Sequence, residues 1–304
     1  MGGNYEFEQK SLIACISRNH PELAKERFQF AEESWSNAVV IVGNRYIFRF
    51  PKTDSAKKSL KIEKQVLPKL SERLSLAIPS IKYVSGLNEG LAYAYYPLIK
   101  GSKLSKKFYQ SLPREQKKGV QKDLGRFLSD LHAYPVKEIN NADFTDVDVK
   151  ENWEHFYKEI KRAISPYSNK ALDRSIKQLF DRFLSNPANF KFKPCLLHAD
   201  LKPSHLLYDV ENERLSGVID FGAMEVGDPA FEFVGLYDAY GKEFIMKVMD
   251  HYTGIIDPTF WQRINDFYMK IVHFYDVIYG VETGDAAMIK YHLSVIQKVL
   301  QNSS

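Results

Sequence analysis

Apolar positions recur at helical spacing near the start of the chain. Leu12, Ile13, Ile16 and Leu23 predict a helix within residues 5–26. From Phe28 the texture changes. Residues 38–51 (AVVIVGNRYIFRFP) are β-branched and aromatic, with the turn dipeptide Gly43-Asn44 in their middle, which predicts a hairpin. In the following segment, KKSLKIEKQVLPKLSERL, Leu60, Val66, Leu67 and Leu70 form the stripe of an amphipathic helix that Pro68 is expected to end or bend. Two more strands, 80–84 and 91–96, flank the turn residues Gly86, Asn88 and Gly90. Strands with one inserted helix make a small α+β lobe ending near Tyr96.

Beyond Gly101 the pattern becomes mostly helical. Val120, Leu124, Phe127, Leu128 and Leu131 share one face of a helix ending at His132, and residues 147–186 read as polar-faced helix. Residues 196–209 (LLHADLKPSHLLYD) and 214–222 (RLSGVIDFG) are short apolar strands around polar loops. From Phe231 to Leu300 the chain is helical and rich in aromatics, and no internal repeat appears.

Charge and cysteine content exclude several classes. With 42 basic and 38 acidic residues the net charge is +4, too mild for a nucleic-acid partner, and Lys57, Lys58, Lys61 and Lys64 read as a solvated helix face. Cys15 and Cys195 lie in no CxxC or Cys/His cluster, which argues against zinc and suits a reducing cytosol. Both read as buried small hydrophobes. The N-terminus lacks the apolar core of a signal peptide, and no apolar run approaches the roughly 20 residues of a membrane span. A cytoplasmic protein with no membrane or nucleic-acid partner is expected.

Three polar clusters stand in an order that carries chemistry. The first is His198-Ala199-Asp200-Leu201-Lys202-Pro203-Ser204-His205, on a loop after an apolar strand. Asp200 suits the role of accepting or orienting the proton of an attacking hydroxyl, and His205, five residues on, takes the position of a metal-ligating side chain. Lys202 can neutralise a transferring phosphate. The second is Ile219-Asp220-Phe221-Gly222, where Asp220 would bind magnesium bridging nucleotide phosphates. The third pairs Arg49 on the hairpin with Glu63 on the next helix, a cation for the phosphates and a carboxylate that fixes it. Each piece alone is weak; together, each after a predicted strand, they point to phosphoryl transfer.

These residues carry a resemblance to the antibiotic phosphotransferases of the aminoglycoside and macrolide kinase superfamily, and most to the aminoglycoside 2''-phosphotransferases. It runs through ESWSNAVVIVGNRYIFRFPK, IPSIKYV, LIKG, DLGRFLSDLH, KPCLLHADLKPSHLLYD, GVIDFGAMEVGDP, YGKEF and VIYG. The resemblance implies an α+β, protein-kinase-like two-lobed fold: an antiparallel N-terminal sheet plus helix, and a largely helical C-terminal lobe with an inserted helical subdomain. Its parts would be a nucleotide-binding lobe over 1–96, a hinge over 97–101 and a catalytic and substrate-binding lobe over 102–304. ATP or GTP with Mg²⁺ would bind between the lobes of a monomer. The loop from Glu33 to Asn37, including Ser36, would cover the phosphates. At the hinge the Pro97 carbonyl and the Ile99 amide would hold the purine edge, with Tyr96 as gatekeeper. Arg49 stands where many relatives carry lysine, a planar fork in place of a point charge.

For a polycationic aminoglycoside acceptor, the acids Glu225, Glu232 and Asp238 are the candidates, Glu243 being a weaker one. The acidic run of the 2''-enzymes is thinner here, with Ala223 after the DFG glycine. A macrolide kinase, which AMEVGDPAFEF also resembles, and a kinase of a small metabolite hydroxyl such as choline or a sugar are the alternatives. A protein kinase is disfavoured, because a GxGxxG loop and an APE segment are missing. A nucleotide-binding pseudokinase would be expected to have lost Asp200 or Asp220, and both are present.

Overall fold

The computed structural model describes residues 8–31, 36–84, 91–139, 144 and 147–301. The predicted turn at Gly86, Asn88 and Gly90, and most of the Glu33–Asn37 loop, lie outside them. The chain forms two compact units, the first made of residues 1–134, 202–224 and 246–252, the second of residues 135–201, 225–245 and 253–304.

In the first unit a five-stranded antiparallel sheet has the order β1-β2-β3-β5-β4, with β1 Phe28–Phe30, β2 Asn37–Val42, β3 Tyr46–Pro51, β4 Lys82–Val84 and β5 Tyr93–Pro97. The hairpin β2–β3 turns at Gly43 and Asn44, whose φ values of 58° and 53° close a type I′ turn through the Arg45 N–H to Val42 carbonyl bond. Val40, Val42, Phe48, Phe50 and Tyr93 pack on one sheet face with Leu12, Ile16 and Leu23. The first helix is shorter than its periodicity predicts, running Gln9–Asn19. His20 precedes Pro21, and proline drives its predecessor out of the helical region, here to φ −133°, ψ 70°. A 3₁₀ turn, Pro21–Leu23, still delivers Leu23 to the core.

The helix Asp54–Ser71 starts at Thr53, whose hydroxyl accepts the Ala56 N–H, and runs on through Pro68 to its last turn. Proline there removes a single backbone donor close to the helix end, a smaller loss than at mid-helix. Ala56, Leu60, Glu63, Val66, Leu67 and Leu70 form its buried stripe. A three-stranded sheet of order β6-β8-β9 (β6 Ser102–Lys103, β8 Leu206–Asp209, β9 Arg214–Val218) completes the unit with the helix Arg114–His132. Gly217 in β9 lets the Ala77 carbonyl approach; a Cβ there would lie 2.6 Å from that oxygen.

The second unit is helical around a two-stranded ladder of β7 (Cys195–Leu197) with β10 (Glu225–Gly227). Its helices Val149–Ile164 and Lys170–Leu184 begin at Asp148 and Asn169, each capping two backbone N–H groups. Trp153 sits edge-on to Phe231 and Phe267, and Phe183 stacks on Phe267 at 3.7 Å between centroids. No helix among the described residues is long and apolar enough to cross a membrane. Cys195 is buried and Cys15 half-buried, both as free thiols.

Candidate active site

Strand alternation sends Phe48 and Phe50 into the sheet's aromatic core and Arg49 to the opposite face. There Arg49, 6% exposed, donates to Glu63 Oε2 at 2.8 Å, and its other terminal nitrogen lies 3.6 Å from Asp220 Oδ1. Burial works against the guanidinium charge, but Glu63 and Asp220 more than offset it, so the pKa of Arg49 is raised. Tyr96 on β5 is buried beside this group. Burial, opposed by Arg49 and reinforced by the two carboxylates, pushes its phenol up to about 12, so it stays protonated. Pro97 is exposed, Ile99 is half-buried and reaches toward Gly217, and the Leu98 N–H is bound by the Arg45 carbonyl. Ser36 sits at the entry to β2, with its carbonyl accepting from Lys52 and its hydroxyl from Asn37.

Asp220 follows β9 in a left-handed conformation, φ 69°, uncommon outside glycine though more accessible to aspartate than to most residues, and its surroundings restrain it there. The restraint is visible. Phe221 is fully buried, the Ile219 N–H is bound by the His205 carbonyl, and Ser59 donates to the Gly222 carbonyl at 2.8 Å. His205 is buried at the end of the 3₁₀ turn Pro203–His205, and its Nε2 lies 3.4 Å from Asp220 Oδ2. Asp220 remains half exposed. An imidazole nitrogen and a carboxylate this close, one of them open to solvent, fit a shared divalent ion. Arg49, Glu63, His205 and Asp220 are thus brought together within the first unit.

In the second unit, β7 leads into the loop that carries Asp200. Ala199 has φ 62°, a strained position. His198 is fully buried; its N–H donates to Glu232 Oε2 at 2.6 Å, and its Nδ1 accepts the Asp200 N–H at 3.3 Å. Glu232 is 1% exposed and turns its carboxylate to the backbone of this loop, which holds Asp200 in place. Asp200 itself is partly exposed, and Lys202, at the start of the chain's return to the first unit, is exposed.

Glu225 is open to solvent, yet closely surrounded by protein atoms. That crowding, with Glu232 adding repulsion, raises its carboxyl to about 7. Asp238 stands exposed on the helix Val234–Tyr240, and Glu243 is exposed on the next helix, Lys242–Met249.

Sequence reasoning assigned no role to His198, Asp228 or Arg263. Asp228, in the GDP segment, caps the helix Pro229–Glu232 and is bound by Arg263 and by the Tyr268 hydroxyl at 2.6 Å. Arg263 also forks onto both oxygens of Asp257, at 2.7 and 2.8 Å. Against burial, its hydrogen bonds hold Asp257 down at about 2. The place of Asp228 in the GDP segment shortly after the DFG glycine was the available signal, while the arginine lies 35 residues away and carries none.

A guanidinium held by a helix carboxylate under an antiparallel sheet, followed by an aspartate on a strained loop, defines a protein-kinase-like α+β fold. Comparison with known proteins agrees. The phosphotransferase enzyme family matches residues 27–260, more than two thirds of the chain, and the chain belongs to that family. Its fold is that of wild-type aminoglycoside 2'-phosphotransferase-IIIa in complex with GDP, with TM-score 0.86, 22% identity and coverage of 98% of this chain and 100% of that one. The gentamicin complex of APH(2'')-IIa gives 0.81 at 23% identity, covering 96% and 97%. Macrolide 2'-phosphotransferase type I gives 0.73 at 18% identity, covering 97% and 99%. A curated Bacillus subtilis (strain 168) protein, the uncharacterized YcbJ, is 35% identical over 57 residues. That match spans 19% of this chain and 18% of the relative's length.

Proposed function

We propose that the chain is an antibiotic kinase that moves the terminal phosphoryl group of ATP or GTP onto a hydroxyl of an aminoglycoside. The observation that carries this reading is the buried Arg49, clamped by Glu63 and facing Asp220. A cation anchored in this way is pre-positioned for phosphate oxygens and costs no reorganisation when they arrive. Asp220 and His205 would hold Mg²⁺, which would neutralise phosphate charge. Asp200 accepts or orients the acceptor hydroxyl's proton, fixed by the backbone that Glu232 and His198 restrain. Lys202 faces the transferring group, and transfer is direct, with no covalent enzyme intermediate. Residues 1–96 act as the nucleotide lobe, 97–101 as hinge and 102–304 as the catalytic lobe. Ser36 supports the phosphates, Tyr96 limits the purine pocket, and the Pro97 carbonyl and Ile99 amide bind the purine edge. The protein works as a cytoplasmic monomer.

For the acceptor, Glu225 is the acid best placed to meet a polycation, because it is open to solvent and the ammonium groups of a bound acceptor would favour its charged form. Asp238 is the second. Glu232 serves the loop and is withdrawn from this set. Related folds hold kanamycin with GDP, and gentamicin, in their own complexes. A macrolide acceptor is the second reading, favoured by the thin acidic lining and the macrolide phosphotransferase of the same fold.

The deciding experiment measures nucleotide-dependent phosphorylation of kanamycin, gentamicin, erythromycin and choline by wild type and Asp200→Ala. Transfer to the first two, reduced at least about 100-fold in the variant, is expected. Transfer only to erythromycin selects the macrolide reading. Equal rates in wild type and Asp200→Ala remove the assigned base.

A further inference from the structure

Near its C-terminus the second unit carries a helical hairpin, Met269–Thr283 and Ala286–Gln301, reversed at Gly284 with φ 74°. His273 and Asp276 are one turn apart on the first helix, and His292 meets them from the second. His273 Nδ1 and His292 Nδ1 are 3.2 Å apart, His292 Nδ1 and Asp276 Oδ2 also 3.2 Å, and His273 Nδ1 and Asp276 Oδ2 3.8 Å. Tetrahedral zinc, with bonds of about 2.0–2.1 Å to nitrogen and oxygen, sets its ligand atoms about 3.3–3.4 Å apart. The three atoms already stand close to one face of that tetrahedron.

Protons alone serve this arrangement poorly. With both rings protonated on Nε2, the three atoms are all acceptors within 3.8 Å of one another. Two neutral imidazoles protonated at Nδ1 would set their N–H groups against each other, and a single such proton must be shared between an imidazole and a carboxylate. A cation at the common point engages all three. The two imidazole rings lie 5.3 Å apart between centroids, tilted at 40°.

We propose that His273, His292 and Asp276 bind a transition-metal dication of the zinc, nickel or copper type, staple the two helices and leave a fourth position open to water or an outside ligand. Two nitrogens and one oxygen favour these ions over magnesium, which prefers oxygen. The site lies outside the residues assigned to phosphoryl transfer and stands independently of that function.

The test titrates full-length protein with Co²⁺ in excess Mg²⁺ and compares wild type with His292→Gln and His273→Gln. The Asp220–His205 pair is a second place for Co²⁺, so the reading is the difference between wild type and variants. Wild type should take up additional Co²⁺ with the visible absorption of a four-coordinate ion, and both variants should lack it. Zn²⁺ at 100 times its Kd for the hairpin site should raise the Tm of wild type by about 5 °C more than it raises that of either variant. Identical Co²⁺ uptake in all three proteins overturns the proposal. So does a Tm loss in the variants that is the same with and without Zn²⁺, which would make the cluster a hydrogen-bonded contact.

Discussion

Glu63 separates the structural from the chemical role of the buried cation. It is fully buried, and Arg49, also buried, has its closest carboxylate there at 2.8 Å, with Asp220 more distant at 3.6 Å and half exposed. Replacing Glu63 with Leu leaves a desolvated guanidinium with only the half-exposed Asp220 to balance its charge and the neutral Tyr96 phenol beside it. Removing one partner of a buried pair costs about 3–5 kcal/mol. At ~2–4 °C per kcal/mol, the melting temperature should fall by at least about 6 °C. Replacing both, as Arg49→Met with Glu63→Leu, removes the stranded charge, and such swaps are often neutral or stabilising by about 1–4 kcal/mol. The double variant should therefore melt at or above wild type while its kcat/KM for nucleotide stays down by about 100-fold or more, corresponding to ~2.7 kcal/mol of lost phosphate stabilisation. Circular dichroism melts and a coupled assay for nucleoside diphosphate release read the two quantities on the same samples. A double variant that melts like wild type and also turns over like it would refute the phosphate role of Arg49. Unchanged stability in Glu63→Leu alone would refute the burial argument.

Two further predictions concern the second unit. Glu225 titrates at about 7 in the folded protein against an ordinary 4.5. Its proton is thus held more tightly when folded, so its contribution to stability is complete below about pH 4.5 and lost as pH rises to about 7. Urea unfolding between these limits should show a downward slope that Glu225→Gln flattens; equal slopes in both proteins would show that Glu225 titrates normally. Arg263→Met strands the buried Asp228 carboxylate and should cost about 3–5 kcal/mol in calorimetry, whereas a loss under about 1 kcal/mol would mean the network is not coupled to folding.

The alternation of residues 38–51 and the left-handed tolerance of Gly43-Asn44 were enough to place the hairpin, because both act over a few residues. The same local logic found the helix carrying Glu63 and the order Arg49, Glu63, Asp200, His205, Asp220. It overestimated the first helix, where the Pro21 constraint on His20 outweighs apolar spacing, and it left open whether the helix would survive Pro68. What local pattern could not supply is which polar groups end up dry. Glu232 reads as an acid available to a ligand, yet packing buries it against the His198 backbone. Arg263 and Asp228 are 35 positions apart, and His292 reaches His273 only because two helices fold back on one another. Side-chain period and turn chemistry are written into neighbouring residues, so the sequence alone determined the elements and the chemical order of the site. Desolvation and charge pairing depend on what the rest of the chain brings alongside, so the tertiary structure alone decided which carboxylates are buried into the scaffold and which stay open to solvent.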